Sequence, residues 1–290
     1  MLSQKVLKQI ELMQVSEITE YHVYTAVAKR MKDDKNKAIL LKIANEERAH
    51  SETWKKYTHK DVKPNQFKIK WYGLLNIVFG FTFTLKIMEK GEFKAAIAYG
   101  DLSKEAPEAM KIAQDEEAHE DALIQLLDEE RLQYVGSMVL GLNDALVELT
   151  GTLAGLSLAL KDTKLIALSG LVTGISATLS MMSSAYLSGR SNGDAHPLKS
   201  ASYTGIMYII AVILLALPYL LFAKSDYLLA LGVMLVVVIV IIFIFTYYVS
   251  VAKDLPFKKR FLEMATISMS VAAVAFVIGL LVKQFLGINI

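Results

Sequence analysis

Glu47-Arg48-Ala49-His50 and Glu116-Glu117-Ala118-His119 are two copies of one pattern, E-x-x-H. On a helix, positions i and i+3 share a face, so the carboxylate and imidazole of each copy reach toward the same point. Two such helices, together with one Glu from each of two others, make the carboxylate-bridged di-metal site of a four-helix bundle. The upstream carboxylates stand at matching places. Glu17 precedes Tyr24, and Glu92 precedes Tyr99, by the same interval. The first part of the chain is therefore a repeated pair, Glu17…Tyr24…Glu47-x-x-His50 followed by Glu92…Tyr99…Glu116-x-x-His119. One E-x-x-H alone is common on solvated helix faces; two copies with matched upstream Glu-x6-Tyr point to metal.

Glu17, Glu47, His50, Glu92, Glu116 and His119 are the expected ligands. Glu120, directly after His119, is the best candidate for an additional one. Glu20, Glu46, Glu89 and Glu117 are read as solvated or supporting groups, and His22 and His59 as surface residues. Glutamate and neutral imidazole suit iron (Fe2+/Fe3+) or Mn2+, and the pattern does not choose between them.

Around these motifs, apolar spacing predicts helices over 3–31, 38–57, 86–100 and 107–135. The apolar stretch from Trp71 to Leu85 is too short to span a bilayer. It fits a buried helix, or one lying at the membrane surface with Trp71, Tyr72, Lys68 and Lys70 at headgroup level. The chain has no cysteine, which excludes disulfides, iron–sulfur clusters, thiolate zinc sites and a rubredoxin-type module. A net charge of +2 without a basic block gives no sign of nucleic-acid binding.

Charge and hydropathy divide the chain. Residues 1–135 carry most of the charge, and 136–290 hold long apolar runs, predicting a polar domain followed by a membrane domain. Five spans are expected near 137–160, 165–188, 203–223, 227–251 and 261–285, each long enough for ~30 Å of hydrocarbon. The loop Lys253–Arg260 holds Lys253, Lys258, Lys259 and Arg260 against Asp254, so the positive-inside rule predicts that it and the N-terminal domain are cytoplasmic.

The first span opens with Gly141-Leu142-Asn143-Asp144-Ala145-Leu146-Val147-Glu148. Its two carboxylates are one turn apart. An acidic side chain at the centre of a span costs ~2.5–3.5 kcal/mol on insertion scales, so such residues mark ion pathways by default. The second span carries Met181 and Met182 among serines, thioether and hydroxyl groups suited to a borderline-soft cation. Gly151-x-x-x-Gly155 and Gly170-x-x-x-Gly174 suggest close helix packing, within one chain or between two.

Residues 1–132 resemble the rubrerythrin-like members of the ferritin-like superfamily through Glu17, Asn45 to His50, Glu92 and Glu116 to His119. That resemblance implies di-iron binding and ferroxidase or peroxide chemistry. Gly141 to Val147 and Ser180 to Ser188 resemble the first- and second-span motifs of the vacuolar iron transporter family. Together the halves resemble the membrane-bound ferritins of prokaryotes. The fold expected is all-α: a ferritin-like four-helix bundle over 1–135, then a five-helix transmembrane domain over 136–290.

The resemblance further implies a homodimer in the cell membrane that exports Fe2+ or Mn2+ from the cytoplasm in exchange for protons. Asp144, Glu148, Met181 and Met182 would line the pathway. The family usually carries a Glu immediately before the second-span Tyr-x-Ser, where this chain has Ala185. The alternatives are a membrane-anchored di-iron ferroxidase or peroxidase, and a sensor whose metal gates the pore.

Overall fold

In the computed structural model, residues 3–31, 33–88, 105–125 and 133–286 are described. Among them the regular structure is entirely helical. The chain divides into two compact units, Met1–Glu129 and Glu130–Ile290.

In the first unit, α1 (Gln4–Ala28) and α2 (Asp34–Thr58) form a helical hairpin. Ser3 caps α1 by accepting from the Val6 N–H at 3.3 Å, and Asp33 caps α2 by accepting from Asn36 at 2.7 Å. The exit of α2 is His59 in the left-handed region, φ 54°, with its N–H on the Lys55 carbonyl. Next, α3 (Gln66–Phe79) begins at the Asn65 cap, whose own N–H is held by Thr19 Oγ1 of α1 at 2.9 Å. The final described helix of the unit is α4 (Glu108–Gln125).

The apolar stretch Trp71–Leu85 is not one helix. Gly80 stops α3 at φ 90°, ψ 172°, and residues 81–88 start a new helical run. A positive φ is open to glycine without a Cβ penalty, so the break falls there. The expected helix over 86–100 lies largely outside the described residues, as does the part of the 107–135 helix beyond Gln125.

Two apolar layers fill the unit. One joins Ile10 and Met13 of α1, Trp54 of α2, and Ala109 and Ile112 of α4. The other joins Val23, Tyr24 and Val27 of α1, Leu40 and Ile43 of α2, Leu85, and Leu123 of α4. Along each of the three helices, the residues between those layers are the polar ones: Glu17, then Glu47 and His50, then Glu116 and His119.

The second unit contains α5 (Val135–Leu160), α6 (Thr163–Ser191), α7 (Pro197–Leu221), α8 (Tyr227–Ala252) and α9 (Phe257–Leu286). All five are long and apolar enough to cross a membrane, close to the expected spans. The first has the lowest mean hydropathy, 1.2, against 3.5 for α8; α5 is the span that holds Asp144 and Glu148.

Small residues let α5 sit close to its neighbours. A Cβ on Gly141 would run into the Thr204 backbone of α7. A Cβ on Gly279 would lie 2.8 Å from the Gly155 carbonyl oxygen, and one on Gly151 3.3 Å from Val271, so α5 and α9 meet along a glycine seam. Gly170 and Gly174 of α6 face Leu153 and Leu149 of α5. Both small-xxx-small motifs are thus used inside one chain.

Candidate metal centre

The five predicted ligands that fall in the described residues converge in the polar layer. Ligand atoms of Glu17, Glu47, His50 and Glu116 all lie within 4.8 Å of one another. His50 Nδ1 stands 3.2 Å from Glu116 Oε1 and 3.6 Å from both Glu17 Oε2 and Glu47 Oε2. On the other side, His119 Nδ1 is 3.1 Å from Glu47 Oε1 and 3.7 Å from Glu116 Oε2. The imidazole centroids are 5.7 Å apart. Glu47 and Glu116 therefore sit between two histidines, each offering one oxygen to each side.

The donor set fits a cation. Glu47 Oε2, His50 Nδ1, Glu116 Oε1 and His119 Nδ1 are buried and make no aligned hydrogen bond. Leaving several polar atoms unsatisfied in one buried layer is costly, and a coordinated ion would satisfy them together. The charges agree. Burial pushes the Glu17 carboxyl well above the usual carboxylate range, and the Glu47 and Glu116 charges add to that. Burial would lower His50, but the carboxylates of Glu116, Glu17 and Glu47 outweigh it and push it up to about 12. His119 is pushed up to about 10, where Glu116 and Glu47 outweigh burial in the same way. Glu116 answers by falling below its ordinary value, because the two imidazoles overcome its burial. Without metal, protons supply the positive charge that this layer demands.

The outward ring nitrogens are held too. His50 Nε2 lies 3.2 Å from Asp115 Oδ2, and His119 Nε2 lies 2.9 Å from Glu46 Oε2. The arrangement is reciprocal: the acid before each E-x-x-H orients the imidazole of the other helix. This leaves both Nδ1 atoms facing the carboxylates, as a metal-binding histidine with a carboxylate behind it requires. Trp54 Nε1 donates to Glu17 Oε1 at 3.3 Å and fixes the α1 carboxylate. Sequence reasoning missed Asp115 and left Glu46 among the solvated or supporting acids. The signal was present, since each E-x-x-H is preceded by an acid.

Glu120 is exposed, and the structure does not bring it into the group. Residue Glu92 lies outside the described residues. His22 is exposed against the edge of Tyr21, and His59 is the exposed end of α2.

In the membrane unit, Asp144 is half-buried and Glu148 is exposed on α5. Tyr208 of α7, itself fully buried, donates its hydroxyl to Glu148 Oε2 at 2.7 Å. Tyr208 is a second group that sequence reasoning missed; nothing local to it in the chain names its partner. On α6, Met181, Met182 and Ala185 are half-buried, while Ser180, Ser183, Ser184 and Ser188 are exposed. The Met182 thioether is packed against Gly205 of α7, in the space a Cβ there would take. Since Gly170 meets Leu153 and Gly174 meets Leu149, the same antiparallel register puts Met182 level with Gly141 and Ala185 level with Met138. The thioethers then lie about one turn from Asp144 in depth.

Comparison of the chain with curated proteins and with solved structures finds no match. The VIT family model does match, over residues 135–196. Those residues take in α5, α6 and both motifs at Gly141–Val147 and Ser180–Ser188. The chain thus has five helices long and apolar enough to make a multi-pass membrane protein, and the first two of them match the VIT family model.

Proposed function

We propose that the protein exports Fe2+ or Mn2+ from the cytoplasm in exchange for protons. In this reading the first unit is a ferritin-like bundle that binds the metal and delivers or senses it. The observation that carries the reading is the buried Glu17/Glu47/His50/Glu116 group, joined by His119, in a chain that also has a VIT family domain. Glu17, Glu47, His50, Glu116 and His119, with Glu92 by its sequence motif, are the residues that would hold the metal, supplying carboxylate oxygens and imidazole nitrogens.

The transported ion would pass Met181 and Asp144 toward Glu148. A carboxylate that trades a proton for a metal ion is the chemical basis of exchange. Glu148 is exposed on a single chain, as are Ser180, Ser183, Ser184 and Ser188 of α6. Acid and hydroxyl groups facing lipid are costly, which supports a homodimer that encloses them. The basic loop after α8 supports a cytoplasmic first unit. With Ala185 where the resembled family has Glu, Asp144 and Glu148 are the carboxylates of the first two spans that would carry the exchange.

Proteoliposomes test this directly. The expected result is Fe2+ or Mn2+ flux that acidifies or alkalinises the lumen in step. Absence of flux in both this chain and Ala185→Glu would overturn it.

A second reading is a membrane-anchored di-iron ferroxidase or peroxidase. It is favoured by the closure of the site, since Glu17, Glu47, His50 and His119 are each at most 5% exposed. It predicts rapid oxygen or peroxide consumption with Fe2+ that is unchanged by Asp144→Asn. A sensor would instead show slow oxidation with flux that depends on the bundle metal.

A further inference from the structure

We infer that α3 docks on the bilayer surface, inserting the face formed by Phe67, Trp71, Leu74 and Ile77 among anionic lipid headgroups. These residues follow one another at spacings of four, three and three, which holds them on one side of the helix. They are 76%, 48%, 51% and 54% exposed. The opposite side is already used. Leu75 is buried, and Ile69 and Tyr72 pack on the α1/α2 core. A helix that is apolar on both sides, with one side covering its own domain, has a second apolar environment to meet.

Charge says which environment. Residues 60–71 hold Lys60, Lys63, Lys68 and Lys70 against Asp61, while the rest of α3 carries no charged residue. Lys68 and Lys70 are exposed; Lys68 falls on one flank of the apolar stripe, and Lys70, three residues after Phe67 and four before Leu74, falls within it. Their alkyl stems can lie along the stripe while the ammonium groups reach phosphates, and Trp71 is suited to the headgroup level. A second copy fits less well, because α3 carries no acidic residue that could answer these lysines in an isologous contact. A bilayer is also never far away, since the same chain carries five candidate spans. Basic, amphipathic and tethered to a membrane protein, α3 has the features of an interfacial helix.

Tryptophan fluorescence of the full-length protein tests this. The chain has two tryptophans, and the other, Trp54, is fully buried. The protein is placed in nanodiscs of phosphatidylcholine with phosphatidylglycerol, with and without bromine on the acyl chains. The Trp71 signal is the difference between wild type and Trp71→Phe. Bromolipid is expected to quench that difference signal, and acrylamide to leave it largely intact. In the triple variant Phe67→Ser, Leu74→Ser, Ile77→Ser the bromolipid quenching should be lost and acrylamide quenching gained, with Trp54 emission unchanged as the check on folding. A Trp71 signal open to acrylamide and indifferent to bromolipid in the wild type would overturn the inference. So would one shielded from both, which would mean that protein covers the face. None of these readouts involves metal or transport, so this result and the proposed function stand or fall separately.

Discussion

His50 is held from both ends, by Asp115 at Nε2 and by a ring of carboxylates at Nδ1. Asp115→Asn keeps the size of the side chain and removes its charge. The ring then loses the carboxylate that fixes its orientation, and metal affinity is expected to fall about 10–100-fold. Glu46→Gln should act alike through His119. Titration of the purified protein with Mn2+ in competition with a chelating dye measures both. A change confined to folding would lower thermal stability without moving the affinity of the refolded fraction. The motif ligands were legible because i and i+3 are neighbours in any helix. Asp115 was marked only by its place before an E-x-x-H and Tyr208 by nothing, because their partners stand 65 and 60 residues away in the chain and only the packed structure names them.

Protonation gives a second prediction at the same scale. His50 and His119 have folded values raised above the ordinary 6.5. A raised value means that the folded state binds more protons than the unfolded one, so stability falls as pH rises. The contribution of His119 is complete below about 6.5 and is lost as pH climbs toward about 10. Glu17, also raised, has the same sign; Glu116, lowered, acts only on the acid side. Metal-free protein is therefore expected to melt at progressively lower temperature on the alkaline side of neutrality. Bound metal takes over the charge and should flatten that slope. Melting curves with and without a chelator across this range check it.

At the scale of elements, glycines with different neighbours should respond differently to one methyl group. At Gly141 the added Cβ meets backbone of α7, which cannot step aside, and overpacking of this kind costs about 1–3 kcal/mol. At Gly205 it meets the flexible Met182 side chain, which can rotate away, so Gly205→Ala should cost less. At Gly73 in α3 nothing lies within 4 Å, and Gly73→Ala should stabilise by about 0.5–1 kcal/mol. Thermal melts of the three variants in detergent should rank Gly141→Ala lowest and Gly73→Ala highest. The spans themselves were legible because a bilayer dictates their length and apolarity. The sequence pattern did not reveal that Gly151 and Gly155 face α9 rather than a second chain, because a small-residue stripe records closeness and not the identity of the neighbour. Nor did it break the Trp71–Leu85 stretch at Gly80, where uniform hydropathy hides a change of backbone direction.

At the scale of the whole molecule, the two constellations make separable demands on transport. On the proposed function, the buried layer of the first unit would set how much metal is gathered at low concentration, and Asp144 and Glu148 would set whether a gathered ion can cross. His119→Ala removes one ligand outside the membrane and should raise the metal concentration needed for half-maximal flux, leaving the limiting rate largely intact. Glu148→Gln removes one of the two carboxylates of α5 and should lower the limiting rate and the proton movement that accompanies it. Tyr208→Phe takes away one hydrogen bond to Glu148 without removing the carboxylate, so its effect should be the smaller one and should appear in the pH dependence of flux. Concentration-dependent flux in proteoliposomes at two pH values separates these outcomes. If His119→Ala instead abolished flux at every metal concentration, the first unit would be acting as a gate and not as a collector. The carboxylates of α5 would then be opened to metal only when the buried layer is filled.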